Sequence, residues 1–264
     1  MSTRLTTDQI ERYSRQIMVP DLGGKGQIRL RQSRVLVIGA GGLGSPAALY
    51  LAAAGIGTLG IIDPDQVELS NLQRQILHAT DDIGRPKVDS AKTKLGALNP
   101  DVQINVYPVR LEDHNAAEII AGYDFVIDGS DNFPTKFLVN DTAVKLGIAF
   151  NHAGIVRLQG QTMTVIPGKT ACYRCLFQAP PPPEEILSCQ ASGILGAVAG
   201  TIGTIQATEA VKYLAGLEEG LITDRLLVYD AKNMKFRDVD VKRDANCTSC
   251  GAAKKVAATK SANA

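Results

Sequence analysis

Residues Val35 to Gly44 read VLVIGAGGLG. The first four are apolar without alternation, the pattern of a strand buried on both faces of a parallel sheet. Gly39, Gly41 and Gly44 then fit G-x-G-x-x-G, with Gly42 inside the motif. A strand before it and a helix after it are the context this fingerprint requires. Such a loop brings backbone N–H groups and the positive end of a helix up to a phosphate. Asp63 ends the next apolar run, Thr58 to Ile62, where an acidic residue commonly binds ribose hydroxyls. The first expectation is therefore a nucleotide site.

Outward from this unit the pattern repeats. Gly44 to Ala54 reads as a helix ended by Gly55 or Gly57. Lys87 to Leu98 is a helix stopped by Asn99-Pro100, and Val102 to Val106 alternates like a strand. Asn115 to Ala121 and Pro134 to Leu146 read as helices, and Phe125 to Asp128 and Ile148 to Asn151 as strands. Strands and helices alternating at this length specify an α/β fold with a Rossmann-like, doubly wound, mostly parallel sheet. Upstream, Thr6 to Gln16 reads as a helix that Thr7 could cap, with Ile10, Tyr13 and Ile17 at helical spacing. A turn at Gly23-Gly24 and a short helix to Gln32 follow. Downstream the texture changes. Val156 to Ile166 suggests a hairpin turning at Gln159-Gly160, and strands are expected at Leu226 to Tyr229 and Phe236 to Val241. Between them the run Ala179 to Glu185, APPPPEE, can form neither helix nor central strand. Residues 1–250 are expected to form a single domain with an N-terminal helical arm, and 251–264, mostly Ala, Lys, Thr and Ser, a disordered tail.

Composition narrows the function classes. The chain has 264 residues, 45% of them hydrophobic, enough for one large α/β domain with a sizeable core. A net charge of +1 gives no electrostatic case for nucleic acid, and the absence of Trp argues against base stacking. The N-terminus lacks an apolar segment of the kind a secretory signal needs. The apolar stretch Gly193 to Ala207 is short of the roughly 20 residues of a membrane span; it reads as a Gly-rich helix packed closely on another element. A cytoplasmic protein is expected. Gly168-Lys169-Thr170 resembles the end of a P-loop, but the first glycine of that motif would fall at Met163, inside the hairpin. His78, His114 and His152 show no spacing that suggests a metal site or a triad.

The segment after Asp63 does not suit a dehydrogenase. Ser70-Asn71-Leu72-Gln73-Arg74 places an amide and a cation just past the ribose strand. Lys87 opens a helix, and Asp131-Asn132 follows the strand ending at Asp128. Ends of parallel strands face the ligand crevice, so Asp63, Arg74, Lys87 and Asp131 can converge there. Two cations and a carboxylate beside a phosphate loop suit nucleotidyl transfer with Mg²⁺, where charge must be neutralised at phosphorus and on leaving pyrophosphate.

Four of the five cysteines form Cys-x-x-Cys pairs, Cys172 with Cys175 and Cys247 with Cys250. Two such pairs can supply a closed tetrahedral zinc site, which is structural because it leaves no position for water. A thioredoxin-like redox pair would need a different topology. Cys189 stands alone after the proline run. Near the N-terminus of the Gly-rich helix its thiol would be activated; buried, it would behave as a small hydrophobe.

Together these residues resemble the ThiF/MoeB/HesA adenylyltransferases, relatives of the ubiquitin-activating enzymes. The resemblance is carried by GAGGLGS at Gly39 to Ser45, DPDQVELSNLQRQ at Asp63 to Gln75, GRPK at Gly84 to Lys87, DGSDN at Asp128 to Asn132 and CYRC at Cys172 to Cys175, and is nearest the MoeB type. It implies that Gly42 and its loop approach ATP and that Asp63 holds the ribose. Asn71, Arg74 and Lys87 would contact phosphates, and Asp131 would hold Mg²⁺ with Asn132 beside the nucleotide. It also implies that Arg15 reaches into a neighbouring subunit, hence a homodimer, and that zinc ties the C-terminal segment to the body. The substrate implied is a small ubiquitin-fold sulfur carrier ending in Gly-Gly, adenylated ahead of thiocarboxylate formation. No rhodanese domain follows Cys250 here, so a separate donor, a cysteine desulfurase or a rhodanese, is expected to bring the sulfur. In some relatives a cysteine on the loop of Cys189 handles the activated carrier. Two other readings compete: an NAD-dependent Rossmann oxidoreductase, supported by the loop and Asp63, and a non-catalytic binder of a ubiquitin-fold partner, whose mark would be a missing Arg74, Lys87 or Asp131.

Overall fold

The computed structural model describes residues 4–182 and 193–251. Eight strands form one sheet in the order β3-β2-β1-β4-β5-β6-β7-β8. The parallel part is β1 (Arg34–Ile38), β2 (Thr58–Ile62), β3 (Gln103–Tyr107), β4 (Phe125–Asp128) and β5 (Ala149–Val156). The antiparallel extension is β6 (Gln159–Val165), β7 (Arg225–Asp230) and β8 (Lys235–Asp240). Val35 to Ile38 are all buried, as are all five residues of β2, so the central strands are covered on both faces. Strand β8 is almost wholly exposed and forms the far edge.

Helices alternate with the strands: α1 (Thr7–Arg12), α2 (Ser14–Ile17), α3 (Gly23–Gln32), α4 (Gly44–Ala54), α5 (Lys87–Leu98), α6 (Ala116–Ala121), α7 (Phe133–Leu146), α8 (Tyr173–Leu176) and α9 (Gly196–Ala215). Helix α9 lies against α4, the helix that starts at the glycine loop. At Gly203 the approach is so close that a Cβ would collide with the Leu43 carbonyl. At Gly203, and at Gly196 against the Gln73 carbonyl, glycine is therefore a packing requirement, whereas Gly200 faces open space; the helix runs on to Ala215. Among the described residues no helix is long and apolar enough to cross a membrane.

Two local expectations are corrected. The N-terminal helix is capped by Thr6, not Thr7: Thr6 Oγ1 accepts from Gln9 N (3.3 Å) and Gln9 Oε1 accepts from Thr6 N (3.0 Å). This reciprocal box satisfies two otherwise orphaned donors. The helix breaks at Tyr13, whose buried ring anchors the arm by accepting from Asn99 Nδ2 at 2.9 Å. The β5–β6 hairpin turns at Arg157-Leu158, with Arg157 at φ 54°, not at Gln159-Gly160. Both of those residues pair with β7, and Gly160 lies directly under Ile202 of α9. Met163 is buried within β6, consistent with the rejection of a P-loop there.

Candidate nucleotide site

The C-terminal ends of β1, β2, β4 and β5 open onto a cleft of about 610 Å³. Its walls hold Gly39, Gly41, Gly42, Asp63, Arg74, Lys87, Asp131 and Asn132, eight positions singled out from sequence. The glycine loop is compact: a Cβ on Gly44 would collide with the Gly39 carbonyl. Gly44 itself is buried at the start of α4 and shapes the loop from behind.

Asp63 is the organising carboxylate. Its Oδ2 accepts from Ala40 N (2.8 Å) and its Oδ1 from Asp65 N (2.9 Å), tying the loop after β2 to the loop after β1. Each oxygen retains a lone pair for a further donor. Burial raises the Asp63 carboxyl above its usual range, and nearby Lys87 opposes that shift. Lys87 lies 3.9 Å from Asp63 and 3.0 Å from Asp65, and its side chain is almost fully buried. Arg74 donates to the Ser70 carbonyl at 3.0 Å, and its stem lies over Gly42.

Asp131 is exposed and its carboxylate has no hydrogen bond or ion pair among the described residues. Asn132 caps α7, its Oδ1 accepting from Thr135 N at 2.9 Å. Ser70, Asn71, Leu72 and Gln73 do not line the cleft; they make the short turn from which Arg74 projects. Arg15 is exposed on α2, away from the cleft lining and without a partner among the described residues. Cys189 lies outside the described residues.

Several residues in the cleft or behind its glycine loop escaped the sequence reading. Asp65 pairs with Lys87. His78, buried, has Nε2 at 2.9 Å from the Ala40 carbonyl and Nδ1 at 2.9 Å from Ser90 Oγ, so it braces the glycine loop from below. His152 lines the cleft with its Nδ1 at 3.1 Å from Asp128 Oδ2, and Nε2 has no partner among the described residues. Asp128 is held near 2: burial opposes ionisation, but Lys136, His152 and Ser130 outweigh it. Burial and the charge of Lys136 lower His152 to about 4, so it is neutral at physiological pH. The absence of regular histidine spacing concealed these roles, because each histidine acts alone through a tertiary contact.

The cysteine pairs do meet. The Sγ atoms of Cys172, Cys175, Cys247 and Cys250 all lie within 4.8 Å of one another, with Cys172–Cys247 at 3.6 Å and Cys175–Cys250 at 3.4 Å. A tetrahedral Zn²⁺ with Zn–S bonds of about 2.3 Å needs S–S edges of about 3.8 Å, so the cluster fits zinc. Burial and the neighbouring sulfurs push the Cys172 thiol up, a clash that a divalent cation would relieve. Tyr173, between the first two cysteines, sits on the cleft wall with its ring 4.2 Å from that of His152. The knuckle thus connects the C-terminal segment to the cleft.

Residues 13–249 match the ThiF family. The chain belongs to the ThiF family. Relatives include the SAMP-activating enzyme E1 of Haloferax volcanii, 47% identical across 95% of this chain and 92% of that protein. The sulfur carrier protein adenylyltransferase of Thermus thermophilus is 45% identical across 94% and 93%. The adenylyltransferase and sulfurtransferase MOCS3 of Drosophila sechellia is 46% identical across 95% of this chain, which spans 55% of MOCS3. Among solved structures, E. coli MccB with MccA-N7isoASN superposes with a TM-score of 0.82 at 23% identity, covering 94% of this chain and 76% of MccB. That likeness shows a shared fold. Within the ThiF family, the glycine loop, Asp63, Arg74, Lys87 and Asp131 of this chain occupy one cleft.

Proposed function

We propose that this ThiF-family protein is an ATP-dependent adenylyltransferase that activates the C-terminal carboxylate of a small ubiquitin-fold sulfur carrier ending in Gly-Gly. The observation that carries this reading is the convergence of Arg74, Lys87 and Asp131 on the glycine loop in one cleft. The names of the Haloferax and Thermus relatives, similar over almost their whole length, support it.

In this reading the glycine loop and the start of α4 receive the phosphates, and Asp63 accepts from the ribose. A carboxylate oxygen of the carrier attacks the α-phosphorus; a C–O–P linkage forms, the bond to the bridging oxygen breaks, and pyrophosphate leaves. Arg74 and Lys87 neutralise charge that grows on the phosphates during this step. Asp131 would hold Mg²⁺, which supplies further charge neutralisation when bound. The cysteine cluster would hold structural Zn²⁺. Arg15 would act in the site of a second subunit of a homodimer. A separate cysteine desulfurase or rhodanese would deliver sulfur, with Cys189 handling the activated carrier afterwards. Cys189→Ser is then expected to leave adenylation intact and to lower thiocarboxylate yield at limiting donor.

ATP–pyrophosphate exchange tests the central claim. Exchange should require a Gly-Gly-ended carrier and disappear in Asp131→Ala while the fold survives. Wild-type exchange in that variant would refute the assignment. Isothermal titration separates the dehydrogenase reading, which requires binding of NAD rather than ATP with Mg²⁺.

A further inference from the structure

Beneath the loop that carries Asp131 lies a buried polar cluster with no evident need to exist. Lys136, on the first turn of α7, has a side chain only 8% exposed. Its Nζ donates to the Ser130 carbonyl (2.7 Å) and the Ala153 carbonyl (2.6 Å), and lies 3.6 Å from Asp128 Oδ2. This is a costly place for a cation. A buried ion pair often contributes less stability than apolar side chains of the same volume, and the start of a helix is the positive end of its dipole. Stability alone does not account for this lysine.

What the cluster does is immobilise Ser130 at every polar atom. Asp128 Oδ1 accepts from both Ser130 N (3.0 Å) and Ser130 Oγ (2.6 Å), while Lys136 holds the Ser130 carbonyl. His152 donates from Nδ1 to the other oxygen of Asp128, fixing that carboxylate in turn. On the far side Asn132 is pinned as the cap of α7. Between two fixed neighbours, Asp131 alone projects a carboxylate without a partner among the described residues. Through the Ala153 carbonyl, Lys136 also fastens this loop to β5, whose next residues, Gly154 to Val156, line the same cleft.

We propose that Lys136, with Ser130, is a positioning residue that sets the Asp131 carboxylate for a nucleotide-bound divalent cation. The proposal rests on the reading of Asp131 given above. Neither Lys136 nor Ser130 is assigned a step in the reaction; they act through the peptide they hold. Groups that orient a metal-binding carboxylate typically change metal affinity about 10–100-fold when removed.

The test is Mn²⁺ affinity, read by electron paramagnetic resonance, for protein saturated with an ATP analogue carrying a methylene between the α and β phosphorus atoms. Wild type, Ser130→Ala, Lys136→Met and Lys136→Arg are compared, with affinity for the metal-free analogue and thermal melting measured alongside. Ser130→Ala keeps the lysine contact and the backbone, so it is the variant least disturbing to folding. The expected result is Mn²⁺ binding weakened about 10-fold or more in Ser130→Ala and Lys136→Met. Metal-free analogue affinity should be unchanged, and Lys136→Arg should recover part of the loss. If Lys136→Met does not fold, Ser130→Ala decides. Wild-type Mn²⁺ affinity in Ser130→Ala, or a loss matched by equal loss of metal-free analogue binding, overturns the positioning role. A wild-type protein that binds the analogue but no Mn²⁺ overturns the metal reading of Asp131 itself, and this proposal with it.

Discussion

Lys87 Nζ lies 3.0 Å from Asp65 Oδ2, in a pair formed by a buried ammonium and a largely exposed carboxylate. The Lys87 N–H also donates to the Asp65 carbonyl at 2.9 Å, so backbone and side chain together lock the start of α5 onto the loop after β2. The lysine thereby lines the cleft with its charge held beside Asp63.

Lys87→Met should lower ATP–pyrophosphate exchange by about 10²–10³, the usual scale for losing one group that stabilises transition-state charge. Asp65→Asn should change it by less than about 5-fold, because a pair with one exposed partner contributes at most about 1 kcal/mol. Steady-state exchange rates of the two variants check this; equal losses would place the function in the pair rather than in the lysine.

Arg15 is exposed and does not line the cleft of its own chain. If it serves a second subunit, Arg15→Ala and Asp131→Ala should each be inactive, yet mixtures should regain about a quarter of wild-type activity through hybrid dimers with one intact site in two, by the statistics of random pairing. No recovery despite demonstrated subunit exchange would exclude a shared site.

Metal analysis of the purified chain should give one zinc per chain, and Cys250→Ser should lower it. Zinc loss should reduce Tm by about 6–12 °C, from roughly 3 kcal/mol at about 2–4 °C per kcal/mol for a chain of this size. The Tyr173 ring against His152 transmits part of the change to the cleft, so nucleotide affinity should fall too, by less than the stability does.

The buried Asp128–His152 pair makes a pH dependence explicit. His152 falls to about 4 from 6.5 because burial disfavours its charged form. Between those values the unfolded chain binds the proton and the folded one does not, so stability is complete above pH 6.5 and is lost as pH falls toward 4. The full shift corresponds to on the order of 3 kcal/mol. Asp128, near 2 against 3.8, loses its own contribution at still lower pH. Urea unfolding from pH 7 to 4 should therefore show a steeper decline for wild type than for His152→Gln; parallel curves would assign the decline to other groups.

The order of strands and helices was legible because each element carries its own period. The unbroken apolar run Val35 to Ile38, the glycines from Gly39 to Gly44 and the stops at Gly55 and Asn99-Pro100 are local chemistry, and local chemistry survives reading one residue at a time. The positions of Asp63 just past β2 and of Lys87 at the start of α5 were legible in the same way, whereas Arg74 lies in a turn and Asp131 in the bend between β4 and α7; the two cysteine pairs were marked by their spacing. The boundary errors at Thr6 and Arg157 have another origin. A reciprocal cap and a cross-strand register, not single-residue propensity, set those positions.

What the tertiary structure alone decided is which distant polar groups neutralise one another. Parallel pairing of β4 with β5 sets Asp128 opposite His152, and the first turn of α7 returns Lys136 beneath both. Nothing in the spacing of residues 128, 136 and 152 marks them as partners. Their convergence depends on strand register and helix placement, which the packing of the whole sheet determines. A charge enters such an interior only where those same contacts pair it, so the buried cluster that holds the Asp131 loop exists only once the fold has closed around it.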